Sequence, residues 1–243
     1  MKFLKVFVWS LLFISFLHAQ DFIFSIDGNV IPSNSLLKSS ISDIKLKNEL
    51  KDISEKEEKK LDYRLLKSNT FRILFVGDSM VEAIKRPSKN ICNKKRYECD
   101  YLFKRGLRTD AWTYNGWYGV SLILKIAEFK PNIIVISSGT NDIYNRETPY
   151  QIYKDFTKLI NLINNVSENV NISPKIIIVA PPIPNDKNLN RVLKKRFSNM
   201  KNIFVIQSKK FHLKLWDGIH PNIDSSKIWA QKIISFIEKV SKN

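Results

Sequence analysis

The feature that most constrains the fold is a series of short apolar segments, rich in β-branched residues, in the second two-thirds of the chain. Four of them are clear, and they read FRILFVG (71–77), NIIVISSG (132–139), KIIIVAPP (175–182) and NIFVIQS (202–208). Continuous apolar runs of this length are typical of strands that are buried on both faces of a parallel sheet. A weaker fifth strand is predicted at 109–114.

Segments with helical patterns alternate with these strands, near 119–129, 149–166, 187–199 and 224–241. Alternation of strands and helices predicts an α/β domain in which helices cover both faces of a parallel sheet. We therefore expect residues 70–243 to form a three-layer α/β/α domain. Its sheet should be doubly wound and flavodoxin-like, with about five parallel strands.

The first 19 residues have the pattern of a signal peptide. Lys2 and Lys5 precede an apolar run over 6–17, which is shorter than the roughly 20 residues that cross a bilayer. Cleavage is expected after Ala19, and the alternative is an uncleaved N-terminal membrane anchor. Either case predicts that the α/β domain is periplasmic or secreted.

Residues 20–69 form a distinct N-terminal extension. Its charged stretch over 46–67 lacks Gly and Pro and predicts one exposed helix with a thin apolar stripe. Three roles stay open for this extension: packing on the domain, spacing the domain from a membrane, or binding a protein partner.

The chain is strongly basic, with a formal net charge of +17. Such a surface favours anionic surroundings such as the cell envelope, acidic glycans or lipid headgroups. A Lys- and Asn-rich composition explains the charge equally well, so charge alone does not name a substrate. Nucleic acid is not an expected partner, because no recognised nucleic-acid motif is present and export argues against it.

The two cysteines, Cys92 and Cys99, lie close together in a basic segment. In an oxidising compartment they are expected to form a structural disulfide, and the alternative is two free thiols. No CxxC pattern and no nearby histidine at metal-ligand spacing accompany them, so no metal site is predicted.

Small and polar residues follow two of the predicted strands. Gly77-Asp78-Ser79-Met80 comes after the first strand, and Gly139-Thr140-Asn141-Asp142 comes after the strand at 132–139. Because the carboxyl ends of parallel strands share one edge of a sheet, we expect these two segments to lie close together. Ser79 is then either a helix N-cap or a nucleophile, and a nucleophile requires a nearby base and donors for an oxyanion.

Only three histidines can supply that base: His18, His212 and His220. His18 belongs to the predicted signal peptide, and His212 has no acid positioned just before it. His220 follows Asp217 by three residues, a spacing at which a carboxylate can hold the Nδ1–H and leave Nε2 to accept a proton from serine. The alternative is an Asp–His pair on the surface without a catalytic role.

Together these segments resemble the SGNH hydrolase family, also called the GDSL family. The resemblance covers about residues 71–241 and rests on Gly77-Asp78-Ser79-Met80, Gly139-Thr140-Asn141-Asp142 and Asp217-Gly218-Ile219-His220. It implies that Ser79, Asp217 and His220 form a catalytic triad. It also implies an oxyanion hole made by Ser79, Asn141 and a glycine amide, for which Gly119 is preferred over Gly116 because it directly precedes a predicted helix.

The resemblance implies an esterase that works through an acyl-enzyme and needs no metal or organic cofactor. We expect removal of O-acetyl groups from peptidoglycan or another surface glycan. The alternatives are a lipid esterase or lysophospholipase, a glycan O-acetyltransferase, and a non-catalytic module that binds glycan or protein. Trp117 and Tyr118 are candidates to stack on a sugar or line an acyl pocket, and the alternative for both is core packing.

Overall fold

The computed structural model of the chain describes residues 22–24, 30–32, 70–113 and 117–242. These residues fall into two units that divide between Asn69 and Thr70. In the first unit, strand β1 (Phe22–Phe24) pairs antiparallel with strand β2 (Val30–Pro32). The predicted signal peptide and the predicted charged helix lie outside the described residues.

The second unit is a parallel sheet covered by helices. Its strands are β3 (Arg72–Gly77), β4 (Glu98–Phe103), β5 (Ile133–Ser137), β6 (Lys175–Ala180) and β7 (Ile203–Gln207). Its α-helices are α1 (Ser79–Lys95), α2 (Trp117–Phe129), α3 (Thr140–Tyr144), α4 (Pro149–Asn169), α5 (Leu189–Phe197) and α6 (Ile223–Ser241). Short 3₁₀ helices occupy Thr109–Trp112 and Ser208–Phe211.

The strand order is β4-β3-β5-β6-β7, and every neighbouring pair is parallel. This is the doubly wound, flavodoxin-like arrangement, so the predicted fold class is confirmed. The core lies on both faces of the three central strands, where the apolar runs of β3, β5 and β6 are buried almost without interruption. Within the described part of the chain, no helix combines the length and apolar character needed to span a membrane.

The fifth strand is not at 109–114, and that prediction is wrong. The fifth strand is β4, at one edge of the sheet, and Thr109–Trp112 forms a 3₁₀ helix whose Thr109 and Trp112 are buried. Because β4 lies at the edge of the sheet, all six of its residues are only partly buried. Its sequence ECDYLF therefore lacks the continuous apolar character of the central strands.

The strand order reverses at β3, whose neighbours β4 and β5 lead to opposite sides, and this is where doubly wound folds place their sites. Gly77 ends β3 opposite Ser137 of β5. A Cβ atom at Gly77 would stand 1.8 Å from the Ser137 carbonyl oxygen, so only glycine fits there. This close approach brings the segments that follow β3 and β5 together.

Candidate active site

Ser79 is the first residue of α1 and follows β3 with one residue between them. That intervening residue, Asp78, is the N-cap, and its side chain accepts a hydrogen bond of 2.9 Å from the backbone N–H of Met80. Since Asp78 caps the helix, the Ser79 hydroxyl is free for another role. The first backbone N–H groups of a helix have no partner within it, and they favour negative charge nearby.

His220 lies in a loop that is closed by backbone contacts on both sides. Leu215 and Pro221 form an isolated antiparallel bridge, and the Trp216 N–H donates to the His220 carbonyl oxygen at 2.9 Å. Asn222 then caps α6 by accepting from the Ser225 N–H. The loop therefore presents the imidazole from a fixed backbone.

Ser79, His220 and Asp217 form a continuous hydrogen-bonded chain. Ser79 Oγ lies 2.8 Å from His220 Nε2, and His220 Nδ1 lies 2.7 Å from Asp217 Oδ2. The second carboxylate oxygen of Asp217 accepts from the backbone N–H groups of Ile219 and His220, at 2.9 and 2.7 Å. These contacts fix the carboxylate that orients the ring, as a serine nucleophile requires.

Asp217 stays ionised across the neutral range. Its partial burial acts to raise the pKa, but hydrogen bonds from the backbone and ring of His220 and from the Ile219 N–H outweigh that effect and lower the pKa to about 2. An ionised carboxylate is the form that stabilises an imidazolium in front of it.

Three residues with hydrogen-bond donors suited to an oxyanion line the same groove: Ser79 through its backbone N–H, Gly106 through its backbone N–H, and Asn141 through its side-chain amide. Gly106 lies in the turn after β4, where its φ of +72° favours glycine and the Leu107 N–H donates to the Lys104 carbonyl. Among the described contacts, the Gly106 N–H has no acceptor. The Asn141 amide donates to Asp78 Oδ2 at 3.1 Å and to the Leu107 carbonyl at 3.0 Å.

The structure does not bring Gly119 to this groove. Gly119 is buried in α2, where a Cβ atom would stand 2.3 Å from the Thr113 carbonyl oxygen, so its role is close packing. The expectation relied on a second strand at 109–114. The strand is β4 instead, and the glycine that follows it is Gly106. A correct prediction of β4 from the sequence would have identified Gly106.

Two buried carboxyl groups, Asp78 and Asp142, hold the segments of the site in place by accepting hydrogen bonds. Burial, reinforced by the charge of Asp142, raises the pKa of Asp78 to about 7 despite hydrogen bonds from Met80 and Asn141. Burial also raises the pKa of Asp142, whose oxygens accept from the Thr109 N–H and hydroxyl at 3.0 and 3.1 Å. Asp142 thereby holds the segment after β4 against α3.

A groove of about 1420 Å³ extends from the Ser79 hydroxyl along the crevice between α1 and α6, which pack against each other. The α1 side is a single helical face, formed by residues at helical spacing from Ser79: Glu82, Ala83, Arg86, Pro87, Asn90 and Ile91. The other wall comes from the His220 loop and the first turns of α6.

Trp216, rather than Trp117 or Tyr118, is the aromatic residue at this groove. The residue is 72% exposed, and its ring stacks on the His220 ring, with centroids 6.2 Å apart. Trp117 is exposed away from the groove lining, and Tyr118 packs edge-on against Trp112. Trp117 and Tyr118 were expected at the substrate together with Gly119, which is close to them in the sequence. In the structure none of the three lines the groove.

Cys92 and Cys99 are joined in a disulfide between the last turns of α1 and the start of β4. Among the described residues, no group of three or more His, Cys, Asp or Glu side chains is arranged to hold a metal ion.

Comparisons with known proteins agree with this fold. A family model for GDSL-like lipases and acylhydrolases matches residues 73–233. The fold resembles the crystal structure of TesA, with a TM-score of 0.52 and 16% identity over 68% of this chain and 96% of that one. It also resembles the psychrotrophic esterase EstA from a Pseudoalteromonas species, inhibited by monoethylphosphonate, with a TM-score of 0.51 and 14% identity over 71% and 99% of the two chains. A comparison with curated protein sequences finds no match.

Proposed function

The chain belongs to the GDSL-like lipase and acylhydrolase family, and from that premise we propose that it is an exported serine esterase with Ser79 as its nucleophile. The observation that carries the proposal is the hydrogen-bonded chain from Ser79 Oγ through the His220 ring to Asp217. A hydroxyl, an imidazole and a carboxylate in this order make the arrangement that activates serine for acyl transfer.

In the proposed reaction, His220 Nε2 takes the Ser79 proton as the oxygen attacks the ester carbonyl. The resulting imidazolium is stabilised by Asp217 and then gives its proton to the departing alcohol. Water attacks the acyl-enzyme in the second half, again with His220 as base, and releases the acid and the free serine.

The oxyanion is proposed to accept hydrogen bonds from the backbone N–H groups of Ser79 and Gly106 and from the Asn141 amide. The Asn141 amide must exchange one of its present bonds, to Asp78 or to Leu107, for the substrate oxygen. Losing one such donor costs about 10²–10³ in rate in serine hydrolases.

We propose an O-acetylated glycan of the cell surface, peptidoglycan included, as the substrate class. Charged side chains (Glu82, Arg86, Arg105, Asp224 and Lys227) and amides (Asn90, Asn222 and Gln231) stand among the lining of the groove, and they support a sugar as its ligand. Covering those charges with a hydrocarbon chain would remove them from water at high cost. Sugar hydroxyls, in contrast, can pair with amides, and the exposed Trp216 ring offers a stacking surface.

A second candidate, a lipid esterase, is favoured by the apolar side chains of the same groove. They belong to Ala83, Pro87, Ile91 and Ile223. Export is part of the proposal in either case. It is supported by the signal-peptide pattern of residues 1–19 and by the disulfide, since disulfides persist in oxidising compartments.

The test is hydrolysis of 4-nitrophenyl esters of increasing chain length by the mature protein and by Ser79→Ala. We expect the acetate ester to be the best substrate and the substitution to lower kcat by at least about 10³-fold. Ser198→Ala, a matched change at an exposed serine outside the site, should leave the rate unaltered.

A preference for palmitate over acetate would support the lipid esterase instead. Equal rates for Ser79→Ala and the unaltered protein would contradict a serine esterase, and glycan binding without turnover would indicate a binding module. Transfer of the acetyl group to an added sugar in preference to water would identify an acetyltransferase.

A further inference from the structure

Among the described residues, Arg86 is the cation lining the groove for which the structure shows no ion pair or hydrogen bond. Arg105 pairs with Glu82, and Lys227 pairs with Asp224 at 2.9 Å, so those four charges cancel. Arg86 is exposed in the groove and makes no ion pair or hydrogen bond within the described residues. One uncompensated positive charge therefore faces whatever fills the groove.

The position of Arg86 relative to the nucleophile is set by α1. Arg86 follows Ser79 by seven residues, which is two helical turns on the same face and a rise of about 10 Å. Ala83 lies between them on that face. Consider a glycan that lies along α1 with its ester carbonyl at Ser79. Its part next to Arg86 is then about two sugar rings away from the ester.

We propose that the groove takes an acidic acylated glycan and that Arg86 binds a carboxylate on it, as a specificity-determining residue. This rests on the proposed esterase function and names the chemistry of its substrate. The guanidinium can hold a carboxylate with two parallel hydrogen bonds, which fixes orientation as well as charge. The amides of Asn90 and Gln231 continue along the same groove and suit the hydroxyls of such a chain.

The rest of the unit is consistent with an anionic ligand. Residues 70–243 hold 29 Lys and Arg against 14 Asp and Glu, whereas residues 20–69 hold nine of each. The whole positive excess outside the predicted signal peptide thus belongs to the unit that carries the groove, where it attracts polyanions before contact.

The experiment compares kcat/KM for two chemically O-acetylated trisaccharides of equal acetyl content, trigalacturonate and maltotriose. We expect the unaltered protein to prefer the acidic trisaccharide and Arg86→Gln to lower that preference about tenfold, mainly through KM. Arg86→Lys, which retains the charge but not the paired donors, should recover part of the preference.

Lys89→Gln is the matched control, because it removes the same charge from an exposed position of the same helix outside the groove. It should leave the preference unchanged. Equal loss in Arg86→Gln and Lys89→Gln, or equal rates on both trisaccharides, would overturn the inference. Absence of Ser79-dependent hydrolysis of 4-nitrophenyl acetate would instead overturn the proposed function, so the two failures are distinguishable.

Discussion

At the scale of single residues, Asp78 is a carboxyl group whose ionised form is disfavoured by its burial in the fold. It is fully buried next to Asp142, and its pKa rises from 3.8 to about 7, with burial as the main cause. The native state therefore retains a proton between about pH 4 and pH 7 that the unfolded chain has lost. By linkage, this contribution to stability is present at low pH and is lost as the pH rises through 7.

We expect the Asp78→Asn variant to lack that dependence, because an amide does not titrate and can still accept from the Met80 N–H. Between pH 5 and pH 8 the unaltered protein should lose about 2–3 kcal/mol of unfolding free energy more than the variant. Urea unfolding at both pH values measures this difference. An equal change in unfolding free energy between pH 5 and pH 8 in the two proteins would contradict the prediction.

The residues of the proposed triad could be selected from the sequence because their chemistry depends on residue type and short spacing. Only His220 among three histidines follows an acid by three positions, and Ser79 follows an apolar strand directly. The groove-facing role of Trp216 could not be predicted in the same way, because its stacking on the His220 ring depends on the bridge between Leu215 and Pro221.

At the scale of secondary structure, α1 connects the nucleophile to the disulfide. Ser79 begins the helix, and Cys92 lies in it 13 residues later, where it is buried and bonded to Cys99 of β4. Lys95 at the end of the helix pairs with Glu238 of α6 at 2.6 Å. The C-terminal end of α1, which forms one side of the groove, is thus fixed both to the edge strand β4 and to the neighbouring helix α6.

The double variant Cys92→Ala, Cys99→Ala should be less stable by about 2–3 kcal/mol, since the bond closes a short loop with a sequence separation of seven. Equilibrium urea unfolding with and without a reductant separates the bond from the side-chain change. The reductant should destabilise the unaltered protein and leave the double variant where it was. An unaltered protein that is insensitive to reduction would contradict the prediction.

The central strands and the edge strand β7 were predictable from the sequence, and the edge strand β4 was not. β3, β5 and β6 are apolar throughout because helices cover both of their faces, whereas β4 is paired on one side only and keeps Glu98 and Asp100. An edge strand can therefore lack an apolar run, as β4 does, although β7 at the other edge has one. The choice between Gly116 and Gly119, which left Gly106 out, followed from that one misplaced element.

At the scale of the whole molecule, the positive excess of residues 70–243 predicts a salt dependence that differs between substrates. Raising NaCl from 20 to 500 mM should lower kcat/KM for acetylated trigalacturonate about 3- to 10-fold, because salt screens long-range attraction. The value for acetylated maltotriose should stay constant. A similar fall for both sugars would indicate a general effect of salt on the enzyme.

The nucleophile and its base are supplied by opposite ends of the catalytic unit. Ser79 opens the first helix of that unit, and His220 precedes the last, 141 positions further along. A chain still being synthesised cannot unite them until α6 has packed beside α1. Esterase activity consequently reports complete folding of residues 70–243.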